Sequence, residues 1–167
     1  GSNGFFGAIW DKVSCHLHPL NYALGLADAA IKAGAIIYEH SRVSSYSGSP
    51  VVVSTASGQV TASELILACN GYIENLEPKI SGYIMPINNF VLATEPLSED
   101  MAHSIIPKDT SMADSRFVIN YWKLSGDNRL IFGGGENYRR KFPTDIKGFV
   151  GKYMRQIYPQ LTDTKID

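Results

Sequence analysis

The residues best suited to chemistry lie in one stretch, residues 119–135, where two strand-like runs flank a short polar link. The first run carries Tyr121 and Trp122, and the second ends in three glycines at 133–135. The link, residues 125–128, has the length and composition of a β-hairpin turn. Consecutive glycines permit a sharp turn or the close approach of another group to the backbone. An aromatic pair beside bare backbone predicts the wall of a binding pocket.

Two histidines near the start of the chain are isolated from the partners that a metal site would need. His16 and His18 are separated by one residue, but no Cys, His or carboxylate cluster stands near them in the sequence. We therefore predict no metal. We expect His18 to precede a helix, as a candidate for lining a pocket. The chain also lacks a Gly-x-Ser-x-Gly turn, so a hydrolase triad has no anchor.

The glycines at 133–135 and Cys69 also have ordinary structural interpretations. The glycines lack the Gly-Lys-Ser/Thr tail of a phosphate loop, and no clear helix starts directly after them. We therefore expect a strand end or a bulge there. Cys69 follows an apolar run and could act as a nucleophile, but a cysteine at a strand end more often packs as a small hydrophobe.

Composition places the chain among soluble globular proteins. Its 167 residues are 44% hydrophobic and 19% charged, with a formal net charge of −1. This charge gives no electrostatic reason to expect nucleic acid or an anionic membrane as a partner. No apolar run approaches the length of about 18 residues that spans a bilayer, and no signal peptide is visible. With two separated cysteines, a reduced cytoplasmic setting is expected.

The elements that must position these residues follow from hydrophobic periodicity. Short β-rich or continuous apolar runs, bounded by turn residues, predict strands. A short helical turn is predicted at residues 98–106. The fold class is therefore mixed α+β, with a mostly antiparallel sheet flanked by helices. The predicted strands are residues 5–10, 35–38, 43–46, 51–55, 59–61, 65–68, 84–94, 117–124 and 129–132.

Two segments have the periodicity of amphipathic helices. The first begins at Pro19, which suits the first helical position, and ends before Gly34, which suits a C-terminal cap. Its wide apolar stripe predicts a helix well covered by neighbours. The second helix has apolar residues at helical spacing over 146–158, with Thr144 as predicted N-cap and Pro159 at its end.

Six motifs occur in order along the chain. Together they closely resemble the FAD-dependent D-amino-acid oxidase/glycine oxidase superfamily, and within it the gamma-glutamylputrescine oxidase-like branch. The resemblance covers nearly all of residues 5–167. The motifs are His-Leu-His-Pro-Leu at 16–20, Ala-Gly-Ala at 33–35 with Glu-His-Ser-Arg-Val at 39–43, Leu-Ile-Leu-Ala-Cys-Asn-Gly at 65–71, Pro86 with Ala-Thr-Glu-Pro-Leu at 93–97, the hairpin at 119–135, and Tyr-Pro-Gln-Leu at 158–161.

The resemblance implies cofactor contacts in the first half of the chain. Val43 matches the residue whose backbone meets the adenine end of FAD. Four consecutive residues, at positions 68–71, match the end of a family strand that passes close to the cofactor. A small residue and a glycine suit that place, because they let the backbone approach closely. The four residues are Ala68, Cys69, Asn70 and Gly71.

The resemblance also implies the substrate side of the site. Tyr121, with Trp122 beside it, matches the strand that lines the pocket over the flavin face, so Tyr121 is the predicted catalytic residue. Both are predicted to bind substrate, together with His18. Because neighbouring strand residues point to opposite faces, Tyr121 is the preferred one of the pair. For Arg139 and Arg140, a solvated charge pair is the preferred interpretation.

One departure from the family is large. Its enzymes begin with a strand, a Gly-x-Gly-x-x-Gly turn and a helix that hold the FAD pyrophosphate, and no such motif occurs here. The family also continues into a Trp-Gly segment beyond this chain. We therefore expect an internal fragment that is inactive alone, with an incomplete FAD site. Residues 4–71 are expected to hold parts of the FAD domain, and residues 72–167 the substrate domain.

The resemblance implies oxidation of an amine or amino acid, of the gamma-glutamylputrescine type, by hydride transfer to flavin with oxygen as acceptor. A dehydrogenase of the same fold that passes electrons to a quinone is one alternative. A non-catalytic α+β binding module that never meets FAD is another. Apolar runs at residues 5–6 and 65–68 also predict self-association of the chain.

Overall fold

The computed structural model describes residues 2, 4–138 and 142–167. These residues form two compact units, which we name the meander unit, residues 23–86, and the sheet unit, residues 1–22 and 87–167. Helices and antiparallel sheets occur together, which confirms the predicted mixed α+β class. The expected division into a FAD-binding part, residues 4–71, and a substrate-binding part, residues 72–167, stays a prediction.

The meander unit is built on a three-stranded antiparallel sheet, as predicted. Its three strands are adjacent in space in the order in which they follow along the chain, and the turn into the third is closed by a 2.8 Å hydrogen bond from the Thr55 amide to the Gly58 carbonyl. Most of the first helix of the chain belongs to this unit, and a short 3-10 helix, Asn70–Ile73, precedes its second helix. The elements are α1 (Pro19–Lys32), β1 (Val43–Ser47), β2 (Val51–Thr55), β3 (Gln59–Ala62) and α2 (Pro78–Ser81).

The sheet unit is built on a four-stranded antiparallel sheet, whose strands lie in the order β4 (Asn88–Ala93), β7 (Leu130–Asn137), β6 (Tyr121–Leu124) and β5 (Met112–Ala113). The predicted hairpin at 119–135 forms its centre, and the turn is closed by a 2.9 Å hydrogen bond from the Ser125 amide to the Arg129 carbonyl. The elements are β4 (Asn88–Ala93), α3 (Glu99–Ile105), β5 (Met112–Ala113), β6 (Tyr121–Leu124), β7 (Leu130–Asn137) and α4 (Ile146–Ile157).

The core of the sheet unit covers one face of this sheet. Alternate strand residues point into it, and α4 packs its apolar stripe across them. Burial of this many large side chains is what fixes the register of the strands. The core residues are Phe90, Leu92, Trp122, Leu130 and Phe132 from the sheet, Val150, Met154, Ile157, Tyr158 and Leu161 from α4 and the turn after it, and Ile105 and Ile106 from α3 and its end.

Three predicted strands are not strands in the structure. Residues 5–10, 35–38 and 65–68 are apolar runs, but no described residue forms a strand ladder with them. A continuous apolar run predicts a buried strand only where a neighbouring strand can take up its backbone hydrogen bonds. The strand predicted at 84–94 is shorter than expected and begins at Asn88.

Helix α1 has the predicted length, but it is not buried by neighbouring residues as predicted. No residue of α1 is buried, and Leu20, Leu24 and Ile31 each remain more than half exposed. Gly34 follows its end with a φ of +97°, the left-handed conformation that a C-terminal glycine supplies. The periodicity therefore gave the apolar stripe and the end of the helix correctly, but the predicted burial was wrong.

Helix α4 begins one residue later than predicted. Its N-cap is Asp145, whose carboxylate accepts a 2.7 Å hydrogen bond from the Gly148 amide, and not Thr144. Both residue types cap helices well, so composition alone could not choose between them. The predicted end is confirmed, because Pro159 starts a separate 3-10 turn, Pro159–Leu161.

Candidate functional site

An open groove of about 1530 Å³ lies along the sheet, lined both by residues of the face opposite the core and by core-side residues that include Trp122 and Ile106. Its floor is made by alternate residues of three neighbouring strands, Val91 on β4, Ile131 on β7, and Tyr121 and Lys123 on β6. The residues His16–Pro19 and parts of α3 and β5 form its sides. All lining residues belong to the sheet unit, so this groove is a property of that unit alone.

Tyr121 is held in the groove by contacts on two neighbouring strands. Its ring lies across Gly133, its cross-strand partner on β7, where a Cβ would overlap the ring. Its hydroxyl donates a 2.6 Å hydrogen bond to Oδ1 of Asn89 on β4. Burial raises the pKa of the Tyr121 phenol, so it is protonated at neutral pH. With 37% of its surface exposed, the residue can still meet a ligand.

Trp122 points to the other face, which confirms the predicted alternation. Only 4% of it is exposed, and its ring stacks on Phe132 with centroids 5.6 Å apart. Its indole N–H donates a 2.9 Å hydrogen bond to the hydroxyl of Tyr158. Trp122 therefore supports the strand that carries Tyr121. It is also among the residues that line the groove, and its role in binding substrate stays a prediction.

His18 lies at the side of the groove, at the start of α1. Its Nδ1 accepts a 3.2 Å hydrogen bond from the Asn21 amide, so the imidazole helps to cap the helix while remaining exposed. His16 lies beside Asp109, with Nε2 3.3 Å from the carboxylate. Within the described residues, no group of three or more His, Cys, Asp or Glu side chains could hold a metal ion.

The groove carries charges of both signs. Glu99, Asp100 and Asp109 stand along its α3 and β5 side. Lys123 lies two residues beyond Tyr121 on β6 and donates a 2.5 Å hydrogen bond from Nζ to the Leu17 carbonyl. An apolar floor with separate acidic and basic positions suits an extended ligand that bears both kinds of group.

The three glycines lie inside β7, so of the two structures expected from the sequence the strand end is wrong and the bulge is confirmed. The strand continues to Asn137, and a register shift between Asn89 and Phe90 marks a β-bulge at this level. Gly135 has the left-handed φ of +72° and lies under the ring of Phe149. Gly134 leaves room for the side chain of Asn120. All three glycines are buried, so their backbone forms no phosphate cradle.

A buried polar pair, which sequence reasoning missed, fixes the entry to β6. Asn120 is 2% exposed and donates two hydrogen bonds to the carboxylate of Asp114. Its backbone N–H donates to Oδ1 at 2.9 Å, and its side-chain Nδ2 donates to Oδ2 at 2.7 Å. The Asp114 amide returns a 2.9 Å bond to the Asn120 carbonyl. This satisfied network lies directly before Tyr121 and makes its position rigid. Asn89 was missed too, although a polar Asn-Asn pair in an otherwise apolar strand was a visible signal.

A second cleft, of about 440 Å³, lies within the meander unit. It brings together two of the predicted cofactor residues, Val43 at the start of β1 and Cys69 at the start of the 3-10 helix. Its walls are mostly apolar. Ala68, Asn70 and Gly71 adjoin the cleft in sequence but do not line it. Its lining residues are Arg42, Val43, Ser44, Tyr46, Val53, Leu65, Ile66, Leu67, Cys69, Tyr72, Ile73, Glu74, Asn75 and Leu76.

The backbone beside this cleft has an unusual conformation. Asn70 has a φ of +50°, and its own side-chain oxygen accepts a 2.7 Å hydrogen bond from the Gly71 amide. A Cβ at Gly71 would meet nothing nearer than Pro86, at 4.0 Å, so packing within the chain does not require glycine there. Arg42 forms an ion pair with Glu74. Arg139 and Arg140, whose roles were open, lie outside the described residues.

The fold and the groove define a mixed α+β protein with an open groove along an antiparallel sheet. The chain belongs to the DAO family of FAD-dependent oxidoreductases, whose family model matches residues 1–167. It is 41% identical over 168 residues to gamma-glutamylputrescine oxidoreductase of Escherichia coli, a match that covers 99% of this chain. It is 40% identical to probable oxidoreductases OrdL of Rhizobium meliloti, over 99% of this chain, and of Haemophilus influenzae, over 100% of it. The chain spans 39% of the length of each relative.

The FAD on which this family depends fits the second cleft in part. The apolar walls around Val43 suit a planar ring system, and the backbone at Gly71 is unobstructed. The pyrophosphate finds no comparable place. The sequence has no Gly-x-Gly-x-x-Gly turn, and among the described residues that line the cleft the only cation, Arg42, is paired with Glu74. The residues therefore fit a ring end of the cofactor and not its phosphates.

Within the part of the chain that the structure describes, no helix combines the length and apolarity needed to span a bilayer.

Proposed function

We propose that this chain forms the substrate groove, and part of the cofactor site, of an FAD-dependent oxidoreductase that oxidises an amine. The observation that carries the proposal is the phenol of Tyr121, fixed over Gly133 in an open groove with charges of both signs. Family membership favours an oxidoreductase over a non-catalytic binding module.

The substrate class is an extended amine of the gamma-glutamylputrescine type. Such a molecule has an aliphatic chain, an amine and a carboxylate. The apolar floor at Val91 and Ile131 suits the chain, the acidic side suits ammonium groups, and Lys123 suits a carboxylate. Similarity to the relative with that name supports the same class.

The residues of this chain bind and orient, while the redox chemistry belongs to the cofactor. FAD, when bound, supplies a hydride acceptor for the carbon that carries the amine nitrogen. Tyr121 would hold one end of the substrate by a hydrogen bond, and His18 and the core-supported strand β6 would limit where the chain lies. On the cofactor side, Val43 and Cys69 would line the ring site, with Ala68, Asn70 and Gly71 beside it.

The test is anaerobic reduction of the flavin in the FAD-loaded protein that carries this chain. Gamma-glutamylputrescine should bleach the oxidised flavin, and Tyr121→Phe should lower kcat/KM about fivefold, the worth of one hydrogen bond. Tyr83→Phe is the matched control, since that tyrosine is 93% exposed in the meander unit. A flavin that stays oxidised with this amine and with shorter amines would contradict the proposal.

The electron acceptor is decided by the second half of the same experiment. We propose oxygen, so admitting air to the reduced protein should return the flavin absorbance and release peroxide. Reoxidation by a quinone but not by oxygen would assign the dehydrogenase instead.

We also propose that the isolated chain self-associates. The apolar pairs Phe5-Phe6 and Leu65-Ile66 are exposed, as are large apolar residues of α1, and a second copy of the chain would cover them.

A further inference from the structure

The direction of the Tyr121 hydroxyl is set by a contact that crosses the sheet. Tyr121 stands on β6 and Asn89 on β4, and β7 runs between them. The phenol reaches Asn89 because Gly133, on β7, has no side chain in the way. The resulting hydrogen bond, 2.6 Å from the Tyr121 oxygen to Asn89 Oδ1, spans three strands at the floor of the groove.

The amide of Asn89 has one orientation that satisfies both of its neighbours. Its Nδ2 lies 3.4 Å from the Gly135 carbonyl, and a carbonyl oxygen can only accept. The nitrogen therefore faces Gly135, and Oδ1 faces Tyr121. A tyrosine hydroxyl has a single proton, and here Asn89 accepts it. What the phenol presents to the groove is then the lone pairs of its oxygen.

We propose that Asn89 is a positioning residue that makes Tyr121 a hydrogen-bond acceptor, so that this point of the groove binds an N–H group and rejects a carboxylate. The inference rests on the proposed function and deepens it, since it assigns the amine end of the substrate to Tyr121. A carboxylate placed there would face the phenol oxygen with no proton between them, whereas an amine or ammonium N–H supplies the missing donor.

The charged side chains around the groove also favour an amine near Tyr121 over a carboxylate. The acidic side chains Glu99, Asp100 and Asp109 favour a cation in the groove. Lys123, the nearest cation along β6, donates to the Leu17 carbonyl at the edge of the groove, so its positive charge lies toward residues 16–18. A zwitterionic ligand would therefore place its amine at Tyr121 and its carboxylate near Lys123.

The experiment uses the 167-residue chain and two small probes of equal length, butane-1,4-diamine and butanedioate. The chain is labelled with ¹³C at the tyrosine Cζ atoms, and the Tyr121 resonance is assigned from its loss in Tyr121→Phe. We expect the diamine to shift this resonance saturably, and the dicarboxylate to bind at least about tenfold more weakly. A resonance that responds to neither probe, or equally to both, overturns the proposal.

Substitution at Asn89 then tests whether that residue sets the preference. Asn89→Ala frees the Tyr121 proton, so the ratio of the two dissociation constants should fall about fivefold or more. Asn88→Ala, on the same strand, is the matched control and should leave the ratio unchanged. A purely structural role would predict that Asn89→Ala weakens both probes equally and leaves the ratio unchanged, and that result would also overturn the proposal.

A double-mutant cycle guards against an effect of folding. If Asn89 acts through the phenol, Asn89→Ala should have no further effect on diamine binding in a Tyr121→Phe chain. Equal effects in both backgrounds would contradict the assignment. Neither measurement requires flavin or turnover. If the flavin is not reduced by the amine, the probe-binding result is unaffected. If the probes show no preference at Tyr121, the result of the flavin experiment is equally unaffected.

Discussion

At the scale of single residues, the groove depends on a missing side chain. Gly133 lies under the Tyr121 ring, and its lack of a Cβ is what lets the phenol cross β7 to reach Asn89. The adjacent glycines serve different purposes, one making room for Asn120 and one adopting a left-handed φ under Phe149. Three identical residues in a row therefore meet three separate packing requirements.

Gly133→Ala should separate the placement of Tyr121 from stability. The new methyl overlaps only the far end of a half-exposed ring, which can swing into the groove. Loss of the bond to Asn89 costs about 1 kcal/mol, and replacing a strand glycine by alanine returns about 0.5–1 kcal/mol. We expect urea unfolding to be nearly unchanged while the Tyr121 Cζ resonance moves and its response to the diamine is lost.

Gly58→Ala is the control for this substitution, since a Cβ there meets no atom within 4 Å. It should change neither the Tyr121 resonance nor the diamine response. A Gly133→Ala chain that binds the diamine as the unmodified chain does would show that Gly133 is not needed to place the phenol.

The sequence could predict part of this site and not the rest. Alternation along one strand placed Tyr121 and Trp122 on opposite faces, because that pattern is local. The partnership of Tyr121 with Asn89 depends on β7 lying between β6 and β4, a strand order that no local pattern encodes. Asn120 and Asp114 were missed for a similar reason, since their burial follows from tertiary packing.

At the scale of elements, the start of α4 offers a direct comparison between the predicted and the observed cap. Asp145→Ala removes the acceptor of the Gly148 amide and should cost about 1 kcal/mol of unfolding free energy. Thr144→Ala, one residue earlier, should change it by less than about 0.5 kcal/mol. Urea denaturation of the two variants beside the unmodified chain gives the comparison. A larger loss for the threonine variant would restore Thr144 as the cap.

Helix α2 is tied to the meander by a carboxylate whose protonation should be visible in stability. Glu77 accepts a 2.5 Å hydrogen bond from the Tyr46 hydroxyl and also caps α2 through the Lys79 amide. The Tyr46 bond, followed by the Lys79 amide, lowers the pKa of Glu77 below its usual 4.5. Because the folded pKa is the lower one, this stabilisation is present above pH 4.5 and is lost as pH falls through the folded value.

Glu77→Gln should therefore flatten the acid side of the stability profile. The glutamine oxygen still accepts from Tyr46 and Lys79 but does not titrate, so unfolding midpoints should fall less than in the unmodified chain as the pH drops below 4.5. Tyr46→Phe removes the largest cause of the pKa shift and should also reduce the slope. Three identical slopes would mean that this carboxylate does not contribute to acid sensitivity.

Predicted elements failed where a partner element was needed. The meander and the hairpin were found because antiparallel neighbours follow each other directly along the chain. Residues 35–38 and 65–68 have the composition of buried strands, yet no described strand pairs with them. The composition of a run shows that it could form a buried strand, but the run becomes a strand only where another strand pairs with it.

At the scale of the whole molecule, the two candidate sites lie in different compact units. The groove of Tyr121 belongs to the sheet unit, and the cleft of Val43 and Cys69 belongs to the meander unit. The buried core cluster of large side chains lies in the sheet unit, whereas Ile73 is the buried large apolar residue of the described part of the meander unit, and both units keep large apolar residues exposed. This contrast agrees with a chain that spans 39% of the length of its relatives.

The exposed apolar residues of the meander unit lead to the prediction of self-association. Leu24 on α1 is 59% exposed and Ile66 is 87% exposed, and covering such side chains releases about 1.5–3 kcal/mol each. Sedimentation of the isolated chain should show an average mass that rises with concentration. Leu24→Lys with Ile66→Lys should weaken the association at least about tenfold. Asn21→Lys with Ser57→Lys adds the same charge at exposed polar positions and should leave the association unchanged. A single monomeric mass at every concentration would show that these surfaces do not pair between copies.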